Sequence, residues 1–329
     1  MRPYPPDVPE PPGLPAIGLA ELRAAARLLA PFVHRTPVAT CATLDRVAGR
    51  SLFLKCENLQ KVGAFKFRGA CNAVMRLPDE TAARGVATHS SGNHAQALAL
   101  AARLRGVPAH IVMPRNVSEV KRRAVEEYGG RVILCEPTLE AREATAERVV
   151  AETGASYVHP YDHPDVIAGQ GTAALELLGE VPDLDGLVAP IGGGGLVAGT
   201  CIAARGIAPA VRVFAAEPAG ADDAARSKAA GRRIPQTAPL TLADGLLTSL
   251  GALTWPFVRD VVERVITVGE DEIVVAMRLV WERAKLVIEP SAAVAVAAVL
   301  SPAFRGEAAP RRLGIILSGG NADLDHLPW

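Results

Sequence analysis

The hydrophobic positions along the chain follow two periods. Leu19, Leu22, Ala26 and Leu29 recur at helical spacing and predict a helix over 19–29. Short apolar runs bounded by turn residues predict strands at 51–56, 85–89, 110–113, 132–135, 155–159, 187–191, 211–216 and 313–317. Between them, helical or alanine-rich stretches predict helices from Lys66 to about 77, then 95–104, 118–128, 139–153, 173–178, 196–205 and 271–285. An apolar helix, expected to be buried, follows residue 293. Strand and helix alternate, which predicts an α/β protein with parallel sheets flanked by helices. The stretch 78–162 carries enough of both to form a parallel lobe of its own.

Composition narrows the class. The 329 residues can bury one large core or two, and aromatics at 4% disfavour an all-β sandwich. Formal charge is +0 with no basic block, so nothing points to nucleic acid. No apolar run nears the ~18 residues of a membrane span, and a soluble protein is expected. The five cysteines (41, 56, 71, 135 and 201) are scattered without a C-x-x-C pair, which favours free thiols in a reducing cytoplasm. Residues 1–15 hold seven prolines and read as a flexible arm, not a signal peptide.

Several segments carry chemistry. Lys66 lies between Phe65 and Phe67; a lysine desolvated by aromatics loses its proton more readily, as Schiff-base chemistry requires. The alternative is a lysine snorkelling from a helix start. Ser90-Ser91-Gly92-Asn93-His94 lies between a strand and a helix, either capping the helix or offering backbone N–H groups to a substrate carboxylate. Gly192, Gly193, Gly194 and Gly195 join a buried strand to a helix. Four glycines there make an anion nest for phosphate, since backbone can approach closely at a positive helix end. No Gly-Lys-Ser/Thr follows, and the G-x-G-x-x-G register fails at Val197 and Ala198, which disfavours a Walker loop and a dinucleotide site. Glu217 and Asp223 flank a turn that could supply hard oxygen ligands together with the Ala221 carbonyl, or could simply be solvated.

Lys55-Cys-Glu-Asn-Leu-Gln60 with Gly63-Ala-Phe-Lys-Phe-Arg-Gly-Ala70 resembles the cofactor-lysine segment of the serine/threonine dehydratase and serine racemase family. Thr88-His-Ser-Ser-Gly-Asn-His-Ala-Gln96 is similar to that family's substrate-carboxylate loop, and the resemblance runs from about 19 to 325. It implies pyridoxal 5′-phosphate (PLP) on a two-lobed tryptophan-synthase-β type of fold (fold type II). The large domain would comprise 1–77 and 163–329, with 78–162 inserted. By the resemblance, Lys66 carries the cofactor beside Phe65, the tetraglycine loop takes its phosphate, Asn93 contacts the ring 3′-oxygen and Ser318 the pyridine nitrogen. Ser90, Ser91, Gly92, Asn93, His94 and Ser249 would line the substrate. Glu217, Ala221 and Asp223 match the Mg²⁺ (or Ca²⁺ or Mn²⁺) site of the racemase branch. Arg142 corresponds to an arginine able to bind a distal carboxylate, although helix-face pairs with glutamates are its default reading.

Two letters bear on reaction type. Racemisation needs a group on each face of Cα, and by the resemblance Ser91 stands where racemases of the family place a second base opposite Lys66, a position at which the dehydratases usually have alanine. Ser318 cannot hold a pyridine nitrogen protonated as a carboxylate would, which favours β-elimination over holding charge at Cα. The expectation is a cytoplasmic, homodimeric ammonia-lyase converting L-serine or L-threonine to 2-oxo acid and ammonia, with serine racemase activity at the same site. The alternatives are a dedicated serine racemase, a threo-3-hydroxyaspartate dehydratase, a β-replacing synthase and a non-catalytic PLP-binding protein. With eleven residues after Ser318, no allosteric amino-acid-binding module is expected.

Overall fold

The computed structural model describes residues 14–304 and 309–329, so most of the proline-rich arm lies outside the described residues. Among the described residues, ten strands form two sheets. The larger has the order β1(Val38–Ala39), β2(Ser51–Cys56), β10(Arg312–Leu317), β7(Gly186–Pro190), β8(Arg212–Pro218), β9(Val262–Val268). All its pairings are parallel except that of β1 with β2. The smaller sheet, order β5(Arg131–Cys135), β4(Ala109–Pro114), β3(Val86–His89), β6(Ser156–Tyr157), is parallel throughout. Apolar helices cover both, as parallel strands buried on two faces require. The Pro290–Leu300 helix is almost wholly buried against the larger sheet.

Differences from the sequence reading have physical causes. The helix expected at 173–178 runs over Pro164–Glu180, with His163 capping its start by accepting the Asp165 N–H. Its early glycines are contact points, not a loop: a Cβ on Gly169 would lie 2.5 Å from the Arg68 carbonyl oxygen, and one on Gly171 2.9 Å from Gly199. Helix 271–285 is α-helical only over Glu270–Leu279; a wider π-turn spans Val280–Ala284 and left-handed Lys285 (φ +59°) ends it. The edge strand β9 and the short helices Ala42–Ala48, Asp223–Ala230 and Trp255–Asp260 carry weak periodicity and were not expected.

Under the Lys66 segment lies a buried ion network. Arg68, fully buried, donates to both oxygens of Glu57 and of Glu176 at 2.7–2.9 Å. Lys55, also buried, meets Glu176 at 2.8 Å and donates to the Thr36 carbonyl. Burial works against the Arg68 charge, but Glu57 and Glu176 outweigh it and hold it ionised.

Candidate active site

The loops after β2, β3, β6, β7 and β10 converge at the carboxyl ends of their strands, where open parallel sheets place their sites. Lys66 opens the Lys66–Arg76 helix. The Phe65 N–H donates to the Ser318 carbonyl at 3.0 Å, and Ala64 bridges Gly319, so the lysine is set against the end of β10. Its Nζ donates to the Pro160 carbonyl at 2.9 Å and lies 5.2 and 5.9 Å from the ring centres of Phe65 and Tyr161. Burial lowers its pKa to about 8, with Glu289 opposing the fall. Phe65 thus supplies the aromatic contact expected of it; Phe67 is instead in the core.

After β3, Ser90, Ser91 and Gly92 lead into the Asn93–Arg105 helix. The Ser91 side chain has no partner among the described residues. Asn93 donates to Glu289 at 2.9 and 3.1 Å and accepts from the Asn321 amide at 2.8 Å. His94 Nε2 faces the Val158 carbonyl at 3.1 Å; a carbonyl only accepts, so Nε2 carries the proton and the buried Nδ1 is unpartnered. Burial keeps His94 well below its ordinary value and takes His89 to about 4 and His159 to about 3, so these rings are neutral near pH 7.

Across the cleft, Gly192, Gly193 and Gly194 are buried, and none of their N–H groups donates to another described residue. Gly194 needs its φ of +91°, and a Cβ on Gly193 would fall 2.3 Å from the Tyr161 ring. Gly195 starts the Gly195–Ile207 helix, at its positive end. Buried donors left unpaired are costly, so this cradle is built for an anion. Ser318 follows β10 and is buried at the same end of the sheet.

Other expected residues have their own partners. Ser249 Oγ accepts the Gln236 N–H at 2.9 Å, which leaves its O–H free to donate. Arg142 forms no ion pair among the described residues; its Nε is buried and unpartnered, and its charge helps depress His89. Glu217, at the end of β8, accepts the N–H groups of Ala224 and Ala225, both at 2.9 Å. Asp223 accepts from Leu250 through Oδ2, while Oδ1 is buried without a partner. Ala221 sits in the turn between them. Sequence reading missed Glu289, Tyr161 and Gln170. None belongs to a spacing pattern; only the folded chain brings them to Lys66 and the glycine loop.

A half-buried lysine of lowered pKa facing a cradle for an anion defines a site for an aldehyde cofactor bearing a phosphate. The chain belongs to the family described as pyridoxal-phosphate dependent enzyme, whose model matches residues 29–319. It is 52% identical to a serine racemase of Arabidopsis thaliana over 315 residues, covering 95% of each chain. It is 51% identical to a beta-hydroxyaspartate dehydratase of Paracoccus denitrificans, covering 94% of this chain and 98% of that one. The solved structure of maize serine racemase superposes with a TM-score of 0.93 at 50% identity, covering 94% of this chain and 95% of that one. That likeness bears out the two parallel-sheet, fold type II architecture. Among the described residues no helix is long and apolar enough to cross a membrane.

Proposed function

We propose that the protein is a PLP-dependent ammonia-lyase for serine- and threonine-type β-hydroxy amino acids, with serine racemisation as a second activity. The observation that carries this reading is the pairing of Lys66, of lowered pKa, with the unengaged hydroxyl of Ser91 on the carboxylate loop. Lys66, the Gly192–Gly195 cradle and Ser318 would hold PLP, which would supply withdrawal of electrons from the substrate Cα. The N–H groups opening the Asn93–Arg105 helix bind the substrate carboxylate. Lys66 removes the Cα proton and holds it on Nζ, which the Pro160 carbonyl orients. If the β-hydroxyl leaves, the product hydrolyses to 2-oxo acid and ammonia. If Ser91 returns a proton from the opposite face, the amino acid is racemised.

A hydroxyaspartate dehydratase is the second reading, favoured by the unpartnered Nε of Arg142. The same proposal places Mg²⁺, or Ca²⁺ or Mn²⁺, at Glu217, Asp223 and the Ala221 carbonyl. The unpartnered Asp223 Oδ1 fits a cation, as do two carboxyls whose pKa values burial pushes up. We further propose that 78–162 forms a small domain. A cytoplasmic homodimer is proposed on the resemblance and on cysteines that are free throughout the described residues.

The test is a substrate panel of L-serine, L-threonine and L-threo-3-hydroxyaspartate with the PLP-loaded protein and Mg²⁺. It follows oxo acid, ammonia and the enantiomer of remaining amino acid. Oxo acid from serine or threonine, with D-serine formation lost in Ser91→Ala, supports the reading. Oxo acid from hydroxyaspartate alone moves the assignment to the second reading. Retained turnover in Lys66→Ala overturns both.

A further inference from the structure

Thr254 lies just before the Trp255–Asp260 helix and is fully buried. Its hydroxyl is 2.7 Å from the Gly193 carbonyl and 3.3 Å from that of Gly251; it has one proton to give, and the shorter bond takes it. The Gly251 N–H donates to the same Gly193 oxygen at 3.2 Å, so one loop fills both lone pairs of that carbonyl. Asp162 holds the loop in turn. Its Oδ2 accepts the Ala252 N–H at 3.0 Å and its Oδ1 the Leu253 N–H at 2.8 Å. A Cβ on Gly251 would lie 2.3 Å from Asp162 Oδ1, so the carboxylate rests directly on the loop backbone.

We infer that Thr254 is a positioning residue for the phosphate cradle: by holding the Gly193 carbonyl it turns the Gly194 N–H toward the anion. The peptide joining Gly193 to Gly194 is trans and planar, so its N–H points opposite to its carbonyl. With the carbonyl fixed on Thr254, the N–H faces away from that loop, and it has no acceptor among the described residues. Gly194 is left-handed (φ +91°), as in the turns whose successive N–H groups converge on an anion. Two adjacent glycines leave such a peptide free to rotate. Rotated, it would offer the phosphate a carbonyl oxygen, so the Thr254 hydroxyl and the Asp162 brace behind it decide which end the anion meets. The inference rests on the reading of the tetraglycine loop as the phosphate cradle.

The experiment titrates the cofactor-free protein with PLP and, separately, with pyridoxal, the same aldehyde without its phosphate, and reads the ratio of the two affinities. Thr254→Val keeps the shape and removes the hydroxyl; PLP affinity should fall about tenfold, the scale of one lost hydrogen bond, with pyridoxal affinity unchanged. Thr254→Ser returns the hydroxyl and should restore the ratio. Asp162→Asn, which weakens the brace but keeps Thr254, should lower the ratio several-fold and keeps the test decisive if the valine variant fails to fold. An unmoved ratio in the folded variants, or an equal loss of both ligands, overturns the inference. The wild type checks the underlying reading separately. No preference for PLP over pyridoxal there defeats the cradle itself, whereas a strong preference that the variants leave intact defeats only the role of Thr254.

Discussion

Asn93, opening the helix after β3, donates its amide to both carboxylate oxygens of Glu289, which lies just before the Pro290–Leu300 helix against the larger sheet. The contact ties the carboxylate loop to the larger sheet, and Asn321 completes it by donating its own N–H to Glu289 at 3.2 Å. Burial raises the Glu289 pKa to about 7 and the Asn93 bond works against that rise. Glu289 in turn favours the ammonium form of Lys66 against burial.

Removing the Glu289 charge therefore has a defined sign. In Glu289→Gln the Lys66 pKa, already lowered to about 8, falls further. The limb of the pH–rate profile governed by the free lysine moves to lower pH. In Asn93→Ala, Glu289 loses a charge-assisted hydrogen bond of roughly 1.5–3 kcal/mol, and kcat/KM should fall about tenfold to a hundredfold. Profiles of kcat/KM against pH for both variants check this, and an unmoved limb in Glu289→Gln would refute the coupling.

Arg68 should be needed for folding before it is needed for chemistry. Arg68→Met leaves Glu57, fully buried, and Glu176 without their guanidinium. Breaking a buried pair by removing one partner costs about 3–5 kcal/mol. Arg68→Lys restores a charge but not the two-sided fork, and should recover only part. Denaturant midpoints measured on the PLP-free proteins separate this loss from any change in cofactor affinity.

The elements with strong periodicity and the site segments that occupy unbroken runs were legible in the chain. The tetraglycine loop was legible because four glycines between a strand and a helix have few other uses, and Lys66 because aromatics flank it. Glu289 was hidden because a carboxylate before a proline reads as a helix cap; its tie to Asn93 spans 196 positions. Gln170 was hidden because glycines on either side make the segment look like a loop, whereas they let helices touch. A side chain's partner depends on which loops meet, which spacing along one segment does not encode.

The acidic pair beside β8 predicts a pH effect on stability. Burial raises Glu217 from 4.5 to about 8 and Asp223 from 3.8 to about 7. Between the ordinary and raised values the folded state holds protons that the unfolded chain has released, so this contribution to stability falls as pH rises through that window. In chelator the thermal midpoint should drop from about pH 5 to pH 8, and less steeply in Glu217→Gln. Mg²⁺ binding the folded carboxylates should restore the midpoint at the upper end. A chelated protein whose slope matches that of Glu217→Gln would argue against the raised carboxyl.

Gly193 and Tyr161 make the sharpest test of the phosphate cradle. Gly193 lacks a positive φ, so alanine there meets no backbone strain. Its difficulty is contact: the added Cβ falls 2.3 Å from the Tyr161 ring. Gly193→Ala should push the ring aside and weaken PLP binding at least roughly tenfold, and pairing it with Tyr161→Gly should recover part of the loss. Gly194→Ala meets a different obstacle, a φ of +91° and the Thr254 hydroxyl at 2.8 Å. It costs roughly 1–3 kcal/mol that no change at Tyr161 can relieve. Fluorescence titration of PLP into the single and double variants checks the contrast. Equal rescue of both glycine variants by Tyr161→Gly would show that the ring is not what limits the cradle.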